Sequence, residues 1–188
     1  MRTKFKAWAE PYLNEHPEIS LGEEELSKLD NFYLEIGSGK GEFLAKMATN
    51  YPELMFIGIE KNVTCSGFTA KKLVEQKIKN AKLLWNDAIR VTPLFKDGSV
   101  NVIFLNFSDP WPKVRHHKRR LTSDIFIKEY LRILKKDGRL VFKSDNPELF
   151  AFSIDHLEED SFDTKTEYEA YFNEEGTPIH RLVAVKND

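Results

Sequence analysis

The stretch FYLEIGSGKGEFLAKMATN, residues 32–50, decides the fold class. Its first five residues form a short, mostly apolar run, which is typical of a buried strand. Three glycines follow at alternate positions, Gly37, Gly39 and Gly41, and residues 41–50 then repeat apolar side chains at helical spacing. A strand, a glycine turn and a helix in this order begin a βαβ unit, so the stretch predicts a parallel sheet covered by helices.

The same alternation of short apolar runs and longer amphipathic runs continues along the chain. We expect further strands at MFIGIE (55–60), KLLWN (82–86), SVNVIFLNF (99–107), RLVFKS (139–144) and HRLVAVK (180–186), the last at an edge of the sheet. Helices are expected at residues 63–79, from Thr122 or Ser123 to about Leu134, and from Asn146 and Pro147 to about Leu157. Residues 158–179 show no convincing strand pattern. The sequence therefore predicts an α/β fold with a doubly wound, mostly parallel sheet and an antiparallel edge strand.

The composition is that of one globular domain. The chain has 188 residues, 41% of them hydrophobic and 31% charged, and no repeat or linker divides it. We expect a single domain over residues 1–188, with residues 1–30 as an amino-terminal arm or helix. No window approaches the roughly 18 apolar residues of a membrane span, and the charged amino end lacks the apolar core of a secretory signal. Cys65 is the single cysteine, which fits a reducing cytoplasm.

Four acidic residues lie at or near the carboxyl ends of the first four predicted strands: Glu35, Glu60, Asp87 and Asp109. Doubly wound sheets bind ligands at that edge, so we expect the four carboxylates to meet in one crevice beside Gly37 and Gly39. An acid that ends the second strand can accept hydrogen bonds from ribose hydroxyls, which nicotinamide dinucleotides and S-adenosylmethionine share. Glu35 would repel a pyrophosphate, whereas S-adenosylmethionine carries a sulfonium and an ammonium. Charge therefore favours S-adenosylmethionine as the cofactor.

The segment NFSDPWPKVRHHKRR, residues 106–120, places one acid ahead of a dense run of cations. Prolines on either side of Trp111 stiffen the turn, so we expect a fixed Asp109 carboxylate and a Trp111 that packs against its own domain rather than on a base. Residues 113–120 are too cationic for a core, so we expect them to reach solvent and contact phosphates. A solvated basic loop is the simpler alternative, but the position beside the crevice favours a polynucleotide substrate. The adjacent histidines lack a further ligand at metal spacing, so no metal site is expected.

Taken together, these motifs resemble a known family. LEIGSGKGEFL, FIGIE, LNFSDPWPKVRHHKRRL, FKSDN and TEYEAYFNEEGTPIHR resemble the bacterial tRNA (guanine-N7-)-methyltransferases, a class I S-adenosylmethionine-dependent family with a Rossmann-like sheet. The resemblance covers nearly the whole chain. It implies formation of 7-methylguanine at position 46, in the variable loop of tRNA. We expect a cytoplasmic protein that is either a monomer or a homodimer. The segment between the helix after FKSDN and TEYE is shorter here than in the family, where it contains a strand of the sheet.

The resemblance also implies roles for individual residues. The family's cofactor-contacting acids match Glu35, Glu60, Asp87 and Asp109, and Asp109 matches its proposed catalytic residue. Its substrate-contacting positions match Lys113, Asp145, Thr166, Glu167, Tyr168 and Glu169, and its tRNA-interacting stretch matches Arg115, His116, His117, Lys118, Arg119 and Arg120. We expect Asp109 to accept hydrogen bonds from the N1–H and amino edge of the guanine, with Asp145 and the TEYE segment completing the pocket.

Three other functions stay open on the residues alone. A small-molecule methyltransferase of the same fold would explain the crevice but would leave RHHKRR without a role. An RNA-binding module with a vestigial cofactor site would bind no S-adenosylmethionine. A nicotinamide dehydrogenase is disfavoured by Glu35 and by the lack of a substrate domain.

Overall fold

The computed structural model describes residues 3–159, 162–172 and 178–186. Its helices are α1 (Ala9–Glu15), α2 (Glu23–Lys28), α3 (Glu42–Asn50), α4 (Val63–Glu75), α5 (Ala88–Val91), α6 (Asp124–Ile133) and α7 (Pro147–Glu159). Its strands are β1 (Phe32–Ile36), β2 (Met55–Glu60), β3 (Ala81–Trp85), β4 (Val100–Asn106), β5 (Leu134–Ser144), β6 (Phe162–Phe172) and β7 (Pro178–Lys186). Short 3-10 helices lie at Pro17–Ile19, Thr92–Leu94 and Val114–Arg119. No helix within the described ranges is long and apolar enough to cross a membrane.

A seven-stranded sheet forms the centre of the fold, in the order β3-β2-β1-β4-β5-β7-β6. Strands β1 to β5 pair in parallel, whereas β7 runs antiparallel to both of its neighbours. The chain moves outward from β1 to β3 and then returns to place β4 on the other side of β1. This reversal opens a crevice at the carboxyl ends of β1 and β4, where sheets of this class bind ligands. The predicted fold class is confirmed.

Helices cover both faces of the sheet, and adjacent residues of one strand serve the two layers. Phe56 of β2 shares a buried cluster with Leu44 of α3 and Leu73 of α4, whereas its neighbour Ile57 shares one with Ile127 of α6. All five side chains are almost fully buried. Successive side chains of a strand point to opposite faces, so a strand covered on both faces is apolar throughout. The short apolar runs of the sequence predict strands for that reason.

Most predicted boundaries lie within two residues of the observed ones, but two differ by more. Helix α4 ends at Glu75 rather than at residue 79, because Lys77 adopts a left-handed φ of 54° that cannot continue a helix. Strand β5 begins at Leu134 rather than at Arg139, since Leu134 already pairs with Val100 of β4 before the register shifts. The helical spacing of apolar residues in α6 extends past its last residue and concealed this start.

Residues 158–179 require a correction to the sequence analysis, because they contain β6. The strand pairs antiparallel with β7, from Phe162 opposite Lys186 to Tyr168 opposite His180. HRLVAVK is confirmed as a strand, but it lies between β5 and β6, and β6 forms the edge. Charged residues alternate with Phe162 and with threonine and tyrosine along β6, a pattern found in edge strands. The sheet keeps seven strands despite the short connection from α7.

The amino-terminal segment packs on α4. Ala9 of α1 lies so close to Gly67 of α4 that a Cβ added at Gly67 would stand 2.5 Å from the Ala9 Cβ. The rings of Trp8 and Phe68 meet edge to face at 5.1 Å. Residues 9–28 therefore contain the helices α1 and α2 within the region expected to be an arm or helix. The single domain over residues 1–188 stays a prediction.

Candidate cofactor crevice and nucleic-acid interface

Glycines shape the turn after β1, which we call the glycine loop (residues 37–41). Gly37, Gly39 and Gly41 have φ of 77°, 56° and 74°, in the left-handed region that favours glycine. At Gly41 the space is also closed, because an added Cβ would stand 2.6 Å from Cγ2 of Thr69 in α4. The Thr69 hydroxyl donates to the Gly39 carbonyl at 3.0 Å, and the Gly37 N–H donates to the Ile59 carbonyl at 2.8 Å. Helix α4 and strand β2 therefore fix the loop from both sides.

Glu35 is a buried carboxylate in the wall of the crevice, with 4% of its surface exposed. Its Oε1 accepts a hydrogen bond from the Asn106 side chain at 3.0 Å, while Oε2 has no well-aligned partner among the described residues. Burial raises the pKa of Glu35 to about 7, and the nearby Glu60 carboxylate adds to the rise, against hydrogen bonding from Asn106 and the Leu44 amide. A buried carboxylate with a spare oxygen is suited to a cationic ligand, which would restore its full charge.

Glu60 ends β2 and accepts backbone hydrogen bonds on both of its oxygens. The Gly39 N–H donates to Oε2 at 2.9 Å, and the Asn62 N–H donates to Oε1 at 2.7 Å. Burial raises the pKa of Glu60, although these backbone donors oppose the shift. Each oxygen keeps a second acceptor site, so the carboxylate can still receive a hydroxyl. The bond to Gly39 brings Glu60 against the glycine loop.

Two cavities border the glycine loop, and Gly37 lines both. One of about 90 Å³ is lined by Asp87 and Asp109, which lie after β3 and β4. The other, of about 420 Å³, is lined by Glu35. It is also lined by Gly39, the hydrogen-bond partner of Glu60. Asp87 and Asp109 therefore line one cavity and Glu35 lines the other, while Glu60 contacts the glycine loop through Gly39.

The turn after β4, residues 107–112, carries two aromatic residues with left-handed backbones. Phe107 has φ of 53° and Trp111 has φ of 41°, and both are rare values for bulky residues. The Phe107 N–H donates to the Lys143 carbonyl of β5 at 2.9 Å. The Trp111 ring packs within its own domain, as expected, with Arg119 at 5.0 Å and Lys61 at 5.9 Å from its centre. Asp109, between the two aromatics, is exposed.

The basic segment (residues 113–120) forms the 3-10 helix Val114–Arg119 beside this turn. Lys113, Arg115, Lys118 and Arg119 are exposed, whereas His116 and His117 are half-buried. Lys118 and Arg119 line a third cavity. Asp87 and Trp111 line both this cavity and the one of about 90 Å³ beside the glycine loop. Exposed cations therefore stand next to the acidic crevice.

Arg120 corrects the expectation that the whole basic segment reaches solvent. Only 1% of its surface is exposed. Its Nε donates to the Pro110 carbonyl at 2.8 Å, and its Nη2 donates to Glu148 Oε1 at 2.9 Å. The guanidinium also lies 4.4 Å from the centre of the Phe152 ring. A buried arginine is tolerated here because its charge is paired with Glu148 and its Nε and Nη2 groups have acceptors, which the sequence alone does not show.

The remaining predicted substrate residues lie at the same edge of the sheet. Asp145 directly follows β5 and is exposed. Residues 166–169 belong to β6, and the backbone of Tyr168 pairs with His180, which in turn pairs with Ser144 at the end of β5. This register brings the TEYE backbone level with the carboxyl end of β5. The side chains of residues 166–169 lie outside the described part of the chain.

Sequence reasoning missed two residues of the crevice. Asn106 ends β4 and holds Glu35, and Lys61 lines the cavity of Asp87 and Asp109. Both lie at or just after the carboxyl end of a strand, the position that singled out the acids. The same positional signal could have found them, but neither belongs to a residue type with an obvious role in binding a cation.

The chain is similar to methyltransferases in sequence and in fold. A family model described as "Putative methyltransferase" matches residues 30–184. Two solved structures share the fold: a precorrin-6y C5,15-methyltransferase from Geobacter metallireducens (TM-score 0.65, 18% identity, 88% of this chain and 84% of that one) and a "putative methyltransferase" from Streptococcus mutans in complex with SAH (TM-score 0.61, 17% identity, 88% and 95%). At these identities the likeness concerns the fold alone.

Closer relatives share the sequence along its length. The tRNA (guanine-N(7)-)-methyltransferase of Staphylococcus haemolyticus is 40% identical over 208 residues, which covers 98% of this chain and 97% of the relative. That of Pediococcus pentosaceus is 39% identical over 210 residues, with 98% and 99% covered. These alignments are longer than the chain itself, so the relatives carry residues that this chain lacks. With such identity over nearly its whole length, the chain belongs to the bacterial tRNA (guanine-N7-)-methyltransferase family.

Proposed function

We propose that this protein transfers a methyl group from S-adenosylmethionine to N7 of a guanine in tRNA. One observation of the fold carries the proposal: a cavity lined by Asp87, Asp109 and the exposed Arg119 adjoins a second cavity lined by Arg119 and the exposed Lys118. Acids suit a cationic methyl donor, and cations suit an RNA backbone. The relatives named for this reaction support the same conclusion.

The residues of the crevice fit the cofactor. The spare oxygen of buried Glu35 would receive a cation, and the left-handed glycine loop leaves room for close approach of a ligand to the backbone. Glu60 would accept the ribose hydroxyls, with Asp87 on the adjacent wall. When bound, the cofactor supplies an electrophilic methyl carbon on a sulfonium, and that sulfur leaves as a thioether.

The rest of the chemistry is mainly positioning. Guanine N7 carries a lone pair and no proton at neutral pH, so no base is needed before the attack. Alignment of N7 with the methyl carbon supplies the proximity contribution, worth up to about 7 to 11 kcal/mol in favourable cases. Asp109 would accept from the N1–H and amino edge of the guanine and stabilise the positive charge that develops on the purine. Asp145 and residues 166–169 would complete the pocket.

The basic segment would hold the tRNA backbone while the base enters. Lys113, Arg115, Lys118 and Arg119 are exposed and supply the permanent charge, with His116 beside them. Phosphate contacts set the position of the RNA, and the few groups of the pocket choose the base, which leaves its stack. We expect that base to be guanine 46 of the variable loop, as the family resemblance implies, and we expect the protein to work in the cytoplasm.

Labelled methyl transfer tests this proposal. Unmodified tRNA transcripts are incubated with the protein and methyl-labelled S-adenosylmethionine, then digested to nucleosides and separated. We expect 7-methylguanosine as the labelled product, and no label in a transcript whose guanine 46 is replaced by adenine. Label in another nucleoside would refute the N7 assignment, and label retained in the substituted transcript would refute the position.

Binding measurements separate the alternatives. Calorimetry with S-adenosylmethionine gives no heat if the cofactor site is vestigial, and NADH fluorescence would expose a dehydrogenase. If tRNA affinity does not fall with salt, a small-molecule substrate is favoured instead.

A further inference from the structure

The burial of Arg120 separates it from the other cations of the basic segment. Its Nε donates to the Pro110 carbonyl, and its Nη2 reaches the Trp111 carbonyl at 3.5 Å, so it holds the two residues that follow Asp109. The adjacent Arg119 is exposed and lies over the Trp111 ring instead. A side chain with 1% of its surface exposed has no room to contact a phosphate.

The same guanidinium also binds the start of α7. Its Nη2 pairs with Glu148 in the first turn of that helix, and its plane lies over Phe152 one turn later. A cation near a helix amino end is unfavourable by itself, so the Glu148 carboxylate is needed to offset it. Thr122 and Ser153 add a hydrogen bond of 2.7 Å between the same two segments. Segment 117–122 is therefore docked on α7.

These contacts connect two loops that carry acids of the proposed guanine pocket. Asp109 immediately precedes Pro110, and Asp145 lies three residues before Glu148. The turn that carries Asp109 is strained, since Trp111, two residues later, holds a left-handed φ of 41°. Such a backbone persists only where its surroundings determine it, and two carbonyl bonds from one rigid guanidinium do so. A lysine offers a single point of attachment and cannot span the carbonyls and the carboxylate together.

We propose that Arg120 is a positioning residue that clamps the Asp109 turn to the start of α7 and so fixes Asp109 relative to Asp145. The effect of this clamp on catalysis rests on the proposed function. It also revises the role implied by the family resemblance, since Arg120 acts through the protein backbone rather than on the tRNA.

The test compares Arg120→Lys with Arg119→Ala in the full-length protein, using the tRNA methylation assay. For Arg120→Lys we expect kcat to fall about 100-fold, as for a small misplacement of a catalytic group, with an unchanged KM for tRNA. For Arg119→Ala we expect KM to rise and the salt dependence of tRNA binding to weaken. If Arg120→Lys instead weakens tRNA binding and its salt dependence while kcat is retained, Arg120 contacts RNA and the proposal is wrong.

Glu148 offers a second set of variants on the exposed side of the clamp, because 64% of its side chain is exposed. We expect Glu148→Leu to lower kcat about 10-fold, and Glu148→Gln, which keeps an accepting oxygen but loses the charge, to lower it less. Arg132→Lys is the control, since Arg132 also binds two carbonyls, those of Thr92 and Phe95, and pairs with the carboxylates of Asp97 and Glu129, away from the Asp109 turn. Equal loss of kcat in Arg132→Lys, or wild-type kcat in both Arg120→Lys and Glu148→Leu, would overturn the clamp.

A measurement without activity keeps the inference distinct from the proposed reaction. In a Trp8→Phe and Trp85→Phe background, the fluorescence reports Trp111 alone. We expect Arg120→Lys to shift this emission to the red as the turn loosens, and Arg132→Lys to leave it unchanged. An unshifted emission refutes the clamp whatever the enzyme does, whereas absence of 7-methylguanosine from the wild type refutes only the reaction.

Discussion

The glycine loop and the basic segment both border the cavity of about 90 Å³ but use charge in opposite ways. Beside the glycine loop, Glu35 and Glu60 are drawn inward and bound by protein donors, and burial raises the pKa of both. In the basic segment, most charges point to solvent, and Arg120 alone is fully buried there. The first region resembles a site built for one small ligand of known charge. The second resembles a surface that a large anion can approach from many directions.

The difference shows that burial, rather than the sign of the charge alone, decides which partners a charged group has. A buried carboxylate is costly to ionise until a cation arrives, so Glu35 selects its ligand through desolvation. An exposed cation contributes through long-range attraction that salt weakens. Arg120 is a cation of the basic segment but is buried like the carboxylates beside the glycine loop. Its partners are therefore protein groups.

The largest expected effect tests the acid that stands between the two regions. Asp109→Ala should lower kcat by about 1000-fold, as loss of a group that stabilises developing charge does, and should leave tRNA affinity nearly unchanged. Single-turnover methylation and tRNA binding measure the two quantities separately. Asp109→Asn is the control, because it keeps the shape and removes the charge. Retained turnover in Asp109→Ala would remove Asp109 from the mechanism and leave only positioning by the two regions.

The next effect tests the buried side of the comparison through pH. The folded pKa of Glu35 is about 7, above its ordinary 4.5, so the folded protein keeps a proton that the unfolded chain has lost between these values. Stability should therefore fall as pH rises through this window, by about 3 kcal/mol from Glu35 alone. Urea unfolding of the cofactor-free protein from pH 4.5 to 8 measures the slope.

Glu35→Gln isolates this contribution, because the amide oxygen can still accept from Asn106 and the Glu60 contribution stays in both proteins. We expect a shallower slope in the variant. Equal slopes would mean that Glu35 is ionised and solvated, and the contrast between the two regions would weaken.

A third effect, on stability, tests how tightly the glycine loop is built. Gly41→Ala should cost about 2 kcal/mol, from the left-handed backbone together with the contact at 2.6 Å with Thr69. Gly39→Ala is the matched control, since it shares the positive φ but an added Cβ would have nothing within 4 Å. We expect it to cost about 1 kcal/mol in urea unfolding. If the two substitutions cost the same, α4 does not constrain the loop.

The smallest effect tests the exposed region. Arg119→Ala should lower the slope of log tRNA affinity against log salt by about one, the change for one lost phosphate contact. Filter binding over a range of salt concentrations measures the slope, and Lys135→Ala serves as a control outside the basic segment. An unchanged slope for Arg119→Ala would mean that Arg119 serves the Trp111 ring rather than the RNA.

Much of the fold could be predicted because its signals are local. The predicted bounds of β1 match the observed bounds at both ends, because a short, mostly apolar run before glycines is typical of a buried strand. Strand β6 could not be predicted, because its sequence pattern is weak and its position in the sheet depends on pairing with β7. The placement of Glu35 and Asp87 at the crevice followed from strand order. The hydrogen bond from Asn106 to Glu35 could not be predicted in this way, since these residues are brought together only by the pairing of β1 with β4.

The sequence by itself determined the layered sheet, the glycine loop and the presence of acids and cations at one edge. The tertiary structure decided which charges face the solvent. Residues 119 and 120 are both arginines, and nothing local separates them. Glu148 of α7, far along the chain, pairs with the Arg120 charge and Phe152 covers its guanidinium, whereas Arg119 has no such cover. The burial of a charge depends on partners that only the folded chain brings near, because desolvation is tolerated only where those partners replace water.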